Sequence, residues 1–196
     1  MRTLQISSPS PSCNNASDVD DLHSKVISLG KFLGGGWDGK VYEDKNHPGF
    51  VLKFSAAATA IDLKTEVELF NCYYGENSAV LLNEKTIRMK KISGIPLDEI
   101  EGKIFPANAI EKFNEMICKL GDNAIMHQDF HPGNILYDAN KNTFNPIDFS
   151  NKYGIFFSES EDHPCFTSSA DRKSAINKID ENNYIDYITF INDHIL

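Results

Sequence analysis

Short apolar runs broken by turn-forming polar and glycine residues mark 26 to about 54 as a series of short strands. Residues 25–32 alternate loosely before a glycine cluster, and 40–43 and 50–54 read as strands around an Asn46-His47-Pro48-Gly49 turn. Between 56 and 74 the period changes to that of a helix, with Ile61, Leu63, Val67, Leu69 and Phe70 available to one broad face. Two more strands are predicted over 79–82 and 86–92. That makes five strands and one helix before a break near Ser93-Gly94-Ile95-Pro96.

Past the break the pattern turns more helical. Residues 107–120 carry Ile110, Phe113, Ile117 and Leu120 at helical spacing, with a stop predicted at Gly121. A small hairpin follows, 134–137 and 143–147 around the polar turn 138–142. A polar stretch, 158–169, separates it from two predicted helices, about 170–180 and 182–195. The second helix holds Tyr184, Ile185, Tyr187, Ile188, Phe190 and Ile191, too many apolar residues for a free tail. It is expected to cap the core of the small C-terminal half, with any exposed side forming part of a partner surface.

Composition narrows the class. The chain has 196 residues, 41% of them hydrophobic, and no apolar run near the roughly 20 residues that span a bilayer. A net charge of −9 argues against a nucleic-acid surface, which needs clustered Lys and Arg. Cys13, Cys72, Cys118 and Cys165 are widely spaced and read as reduced structural thiols. His127 and His131 lack the Glu and the third ligand of a zinc site. The Ser-, Pro- and Asn-rich residues 1–24 are expected to be a disordered leader with no secretory signal core.

The chemistry concentrates in His127-Gln128-Asp129-Phe130-His131-Pro132-Gly133-Asn134 and in Asp148-Phe149-Ser150. An H-x-D-x-x-x-x-N loop followed by a further Asp is the set that phosphoryl-transfer enzymes use to hold a nucleophile and magnesium. Asp129 is expected to orient the attacking hydroxyl and take its proton, and Asn134 and Asp148 to bind magnesium. His127 reads as a structural loop residue, and His131 stands where it could touch a γ-phosphate.

The upstream half is in the matching order. Gly34-Gly35-Gly36-Trp37-Asp38-Gly39-Lys40-Val41 fits G-x-G-x-x-G-x-V between two strands, so Gly34, Gly36 and Gly39 would let backbone N–H groups approach ATP phosphates. Val51-Leu52-Lys53 resembles the strand whose Lys bridges the α- and β-phosphates. Glu66 or Glu68 would hold that Lys, and Glu66 is preferred from its phase in the helix. Val41 and Val51 above, Ile135 and Leu136 below, with Met89 and Lys91 on the fifth strand's side, complete the expected adenine contacts.

These motifs resemble the protein-kinase superfamily, and the strings H-Q-D-F-H-P-G-N-I-L and I-D-F-S are similar to the OspG/NleH family of type III secreted effector kinases. The resemblance implies an α+β, minimal bilobal kinase-like fold: leader or secretion signal 1–24, N-lobe 25–93 with a five-stranded antiparallel sheet and a C-helix, and a truncated, mainly helical C-lobe 94–196. It implies a Ser/Thr kinase using ATP and Mg²⁺ and acting as a monomer. It also implies binding of ubiquitin and ubiquitin-charged conjugating enzymes, and dampening of NF-κB signalling in the host cytoplasm.

The departures shape that expectation. Gln128 replaces the Arg of H-R-D, Ser150 the Gly of D-F-G, and no A-P-E string follows Asp148. A switch worked by phosphorylating an activation segment is therefore not expected, and a docked partner would have to favour the active arrangement. Two alternatives stay open: a small-molecule phosphotransferase of the aminoglycoside-kinase type, whose loop string is close, and a binding-only pseudokinase that sequesters the charged conjugating enzyme.

Overall fold

The computed structural model describes residues 27–36, 39–56, 58–123, 125, 127, 129–149 and 181–196. The expected leader, the Trp37-Asp38 tip of the glycine loop, Gln128, Ser150, the polar stretch 158–169 and the helix expected at 170–180 lie outside the described residues.

The strands β1 (Leu29–Gly36), β2 (Gly39–Asp44), β3 (Phe50–Ser55), β4 (Ala79–Asn83) and β5 (Thr86–Lys90) form one antiparallel sheet in the order β1-β2-β3-β5-β4. The glycines predicted as a connecting loop belong to the strands themselves, with Gly34 opposite Val41 and Gly36 opposite Gly39. Gly39 has no alternative. Its φ is +156°, and a Cβ there would sit 2.0 Å from the Phe54 carbonyl oxygen.

Helix α1 (Ala60–Tyr74) packs behind β4 and β5. It begins four residues later than the periodicity suggests, because Thr59 and Asp62 close a reciprocal capping box there. Leu63, Phe70 and Tyr73 are buried, each worth roughly 1.5–3 kcal/mol of apolar burial. Ile61, predicted on the same face, is 67% exposed. The buried stripe runs instead through Thr65 and Glu66, which a purely apolar pattern cannot register.

The chain then crosses to a second antiparallel sheet, β6 (Ile95–Pro96), β7 (Ile135–Asp138) and β8 (Thr143–Pro146), in the order β6-β7-β8. Helix α2 (Ala109–Asp122) lies against β8 and runs one residue past the predicted stop at Gly121, ending where Asn123 donates to the Lys119 carbonyl. Helix α3 (Glu181–Asp193) packs on α2, burying Tyr187 and Ile191, while Ile185 stays 59% exposed. Phe105, fully buried, stacks near Tyr137, Phe144 and Phe190 and so ties α3 to the hairpin. Lys53 of β3, Glu66 of α1 and Asp148, just after β8, are brought together across these elements.

Candidate active site

Lys53 points from the middle of β3 toward α1. Its ammonium donates to Glu66 Oε1 at 2.6 Å and to Asp148 Oδ1 at 2.7 Å. Burial opposes the charge on Lys53, but the two carboxylates outweigh it and hold the ammonium above the ordinary lysine range. The ambiguity between Glu66 and Glu68 is resolved by geometry: Glu66 is buried on Lys53, while Glu68 faces solvent and lies 3.8 Å from Lys64. Three charges from β3, α1 and the segment after β8 thus converge on one point.

Asp148 adopts a left-handed backbone, φ +59°, at a cost of roughly 1–3 kcal/mol for a residue other than glycine. That turn aims its carboxylate at Lys53 while Phe149 plunges inward. Phe149 is 2% exposed and packs on Phe70, Tyr73, Tyr74 and His127 with ring centroids 5.1–6.4 Å away. Buried aromatic packing of this kind holds the strained Asp in place.

The loop that carries Asp129 is closed by a short 3₁₀ turn, Pro132–Asn134. His131 accepts from the Gly133 N–H at 3.1 Å, and Asn134 N–H donates to the His131 carbonyl. The Asn134 carboxamide Nδ2 donates to the Asp129 carbonyl at 2.9 Å and to its Oδ2 at 3.3 Å. His127 joins the loop to the segment carrying Asp148: its Nε2–H donates to the Ile147 carbonyl at 2.8 Å. Burial pushes His127 below the usual histidine range, so it is the neutral brace expected of it. Its Nδ1 is buried with no partner among the described residues.

The expected adenine contacts are brought together only in part. Val51 and Met89 are cross-strand neighbours in the same apolar cluster, which Val41 flanks. Leu136 is buried outside that cluster, against Gly94, where an added Cβ would lie 2.8 Å from its own. Ile135 is fully buried in the core. Lys91 does not join the group: its ammonium pairs with Glu43 at 2.8 Å and its N–H donates to the Gly49 carbonyl. Gly34 and Gly36 look onto open space among the described residues, so the protein's own packing does not demand glycine at either.

The family model described as protein kinase OspG, kinase domain, matches residues 32–173. Proteins named protein kinase OspG from Shigella flexneri serotype X (strain 2002017), Shigella sonnei (strain Ss046) and Shigella flexneri are each 30% identical to this chain. Each alignment runs over 161 residues, 78% of this chain and 81% of the relative. The chain belongs to the OspG protein kinase family. It is a protein kinase with the minimal bilobal fold, its five-stranded sheet and C-helix being β1–β5 and α1.

Members of an OspG-type kinase family, like protein kinases generally, use ATP with a divalent metal. The donor set fits such an ion. Among the described residues no three His, Cys, Asp or Glu side chains gather as a metal site. Mg²⁺ at a phosphoryl-transfer centre needs fewer: one or two protein oxygens, with phosphates and water completing its shell. Asn134, fixed through its Nδ2, and Asp148, fixed through one oxygen on Lys53, are hard oxygen donors of that kind.

Sequence reading missed the aromatic end of α1. Tyr74 donates its hydroxyl to the Pro146 carbonyl at 2.7 Å, and the Lys119 ammonium sits 4.2 Å over the Tyr73 ring. The signal was the adjacent Tyr73-Tyr74 pair closing a helix, which periodicity scores as ordinary core.

Proposed function

We propose that the chain is a Ser/Thr protein kinase that transfers the ATP γ-phosphate, with Mg²⁺ held by Asn134 and Asp148. The observation that carries this reading is the Lys53 ammonium seated between Glu66 and Asp148. A pair of this sort is what an active kinase assembles before transfer. Lys53 would bind the α- and β-phosphates, with Glu66 keeping its ammonium in place. Asp129 would orient the Ser or Thr hydroxyl and take its proton as the oxygen attacks the γ-phosphorus and the bond to the β-phosphate oxygen breaks. Bound Mg²⁺ supplies neutralisation of the phosphate charge. The glycines of β1 and β2 would admit the triphosphate against backbone N–H groups. Mass spectrometry of a protein mixture incubated with Mg-ATP tests it. New phosphoserine or phosphothreonine with wild type, absent with Asp129→Asn, is expected; transfer to aminoglycosides alone contradicts it.

The family resemblance extends the proposal to the protein's setting: an effector delivered by type III secretion that binds ubiquitin and ubiquitin-charged conjugating enzymes and dampens NF-κB signalling. Gln128, in place of the Arg that receives an activation-segment phosphate, supports control by a docked protein. The α3 face around the exposed Ile185 is where a partner would be sought. Affinity measurements with free ubiquitin, the uncharged enzyme and the charged enzyme test this. Tightest binding to the charged form is expected, and no binding to any of the three overturns it.

A further inference from the structure

A cavity of about 440 Å³ lies beside the catalytic loop, between it and α3. Such a volume is within the roughly 300–1,000 Å³ of ordinary ligand sites. It is walled by Phe130, Tyr187 and Phe190 and carries two carboxylates, Asp98 and Asp186, with His131 at the loop's edge. The walls come from three parts of the fold: the 3₁₀ turn Leu97–Glu99 after β6, the catalytic loop, and α3.

Each wall is fixed. The Phe130 and Tyr187 rings meet edge to face with centroids 5.3 Å apart, and the Tyr187 hydroxyl donates to the Phe130 carbonyl at 3.4 Å. Asp98 leans on the loop closely enough that a Cβ on Gly133 would come within 3.0 Å of its Oδ2. Its charge is felt across the cavity, since burial and then Asp98 raise the Tyr187 hydroxyl above the usual tyrosine range. Neither Asp98 nor Asp186 has an ion-pair partner among the described residues.

Aromatic faces together with two carboxylates that have no ion-pair partner among the described residues recognise an organic cation: the rings take its flat or methylene part and the carboxylates its N–H donors. An apolar guest would strip water from both charges without replacing it. Position identifies the source of the cation. His131, on the rim, has its Nε2 3.8 Å from Asp129 Oδ2, so whatever occupies the cavity lies next to the residue that faces the phosphate acceptor.

We propose that this cavity is a specificity subsite for an Arg or Lys side chain of the protein substrate, a few residues from the Ser or Thr that is phosphorylated. The proposal rests on the protein Ser/Thr kinase reading above. It makes an acidic enzyme select basic sequence next to its target, through Asp98 and Asp186.

The test uses serine peptides that carry Arg, or its neutral isostere citrulline, at each flanking position in turn. The full chain is assayed as wild type, Asp98→Asn, Asp186→Asn and the double variant. Wild type should favour Arg over citrulline by about tenfold at one position, through KM, as expected for a charge-assisted hydrogen bond. That ratio should fall toward one in the double variant. Equal kcat/KM for the two peptides at every position, or a preference that survives both substitutions, overturns the proposal. If no peptide is phosphorylated, the kinase reading itself has failed, and binding still decides the cavity. Amide shifts at Leu97 and Phe190 that respond to Arg but not citrulline peptides, and vanish in the double variant, support the subsite. Their absence overturns it.

Discussion

Tyr74 closes α1 by donating its hydroxyl hydrogen bond to the carbonyl of Pro146, 2.7 Å away, two residues before Asp148. The helix that supplies Glu66 and the segment that supplies Asp148 are thereby joined at a point remote from Lys53. Burial, with a smaller contribution from Tyr73, raises the Tyr74 hydroxyl above the tyrosine range, so it remains a donor at any working pH. Tyr74→Phe keeps the ring and leaves the Pro146 carbonyl, which is buried, without this partner. A stability loss of about 1–3 kcal/mol in denaturant unfolding is expected. Phosphate transfer should fall through kcat more than through KM for ATP, because α1 is then less firmly held against Asp148.

Glu66 and Glu68 are two positions apart on one helix and answer differently to substitution. Glu66→Ala leaves the Lys53 ammonium buried with one carboxylate fewer, a change of the class that costs roughly 3–5 kcal/mol when a buried pair is broken. It should also abolish measurable transfer. Glu68→Ala, at an exposed pair, should shift stability by less than about 0.5 kcal/mol and leave transfer intact. Thermal unfolding and a phosphate-transfer assay on both variants check the contrast.

His127 makes the fold sensitive to acid. Its folded-state pKa is lowered by burial below the ordinary value of 6.5, so the folded protein binds the proton less readily than the unfolded chain. The stability this contributes is complete above about pH 6.5 and is lost as pH falls through that value toward the lowered one. His127→Gln, which cannot titrate, should flatten the pH dependence of the unfolding midpoint across that window. An unchanged slope contradicts the assignment.

Asn134 anchors Asp129 through its Nδ2, so Asn134→Ala removes two hydrogen bonds together with the side-chain oxygen proposed to bind Mg²⁺. The Mg²⁺ concentration giving half-maximal transfer should rise about tenfold, comparable to the loss of one good charge-assisted contact. A Mg²⁺ titration at saturating ATP measures it.

The sheet was legible because β2, β3 and β5 are short runs rich in apolar, β-branched and aromatic residues with turn residues between them, and the site because Lys53, Asp129, Asn134 and Asp148 are polar residues in fixed order. What stayed hidden depends on partners far away in sequence. The burial of Glu66, preferred from its phase as the partner of Lys53, falls on a helix face where apolar periodicity nominates Ile61, and the ammonium of Lys53 explains it. Lys91 reads as a cleft residue until Glu43 and Gly49 are seen to engage it. The left-handed turn at Asp148 likewise follows from the aromatic packing of Phe149, which no local propensity contains. Tyr74 was illegible for the same reason: its acceptor lies 72 positions along the chain.

The most direct test is transfer of labelled γ-phosphate from Mg-ATP to protein by wild type and Lys53→Ala, each with and without a ubiquitin-charged conjugating enzyme. Wild type should transfer phosphate to serine or threonine, faster with the charged enzyme present. Lys53→Ala should fall by about a hundredfold or more in both conditions, the scale expected for losing a charge contact to the transferring phosphate. Equal transfer by the two proteins would contradict the account.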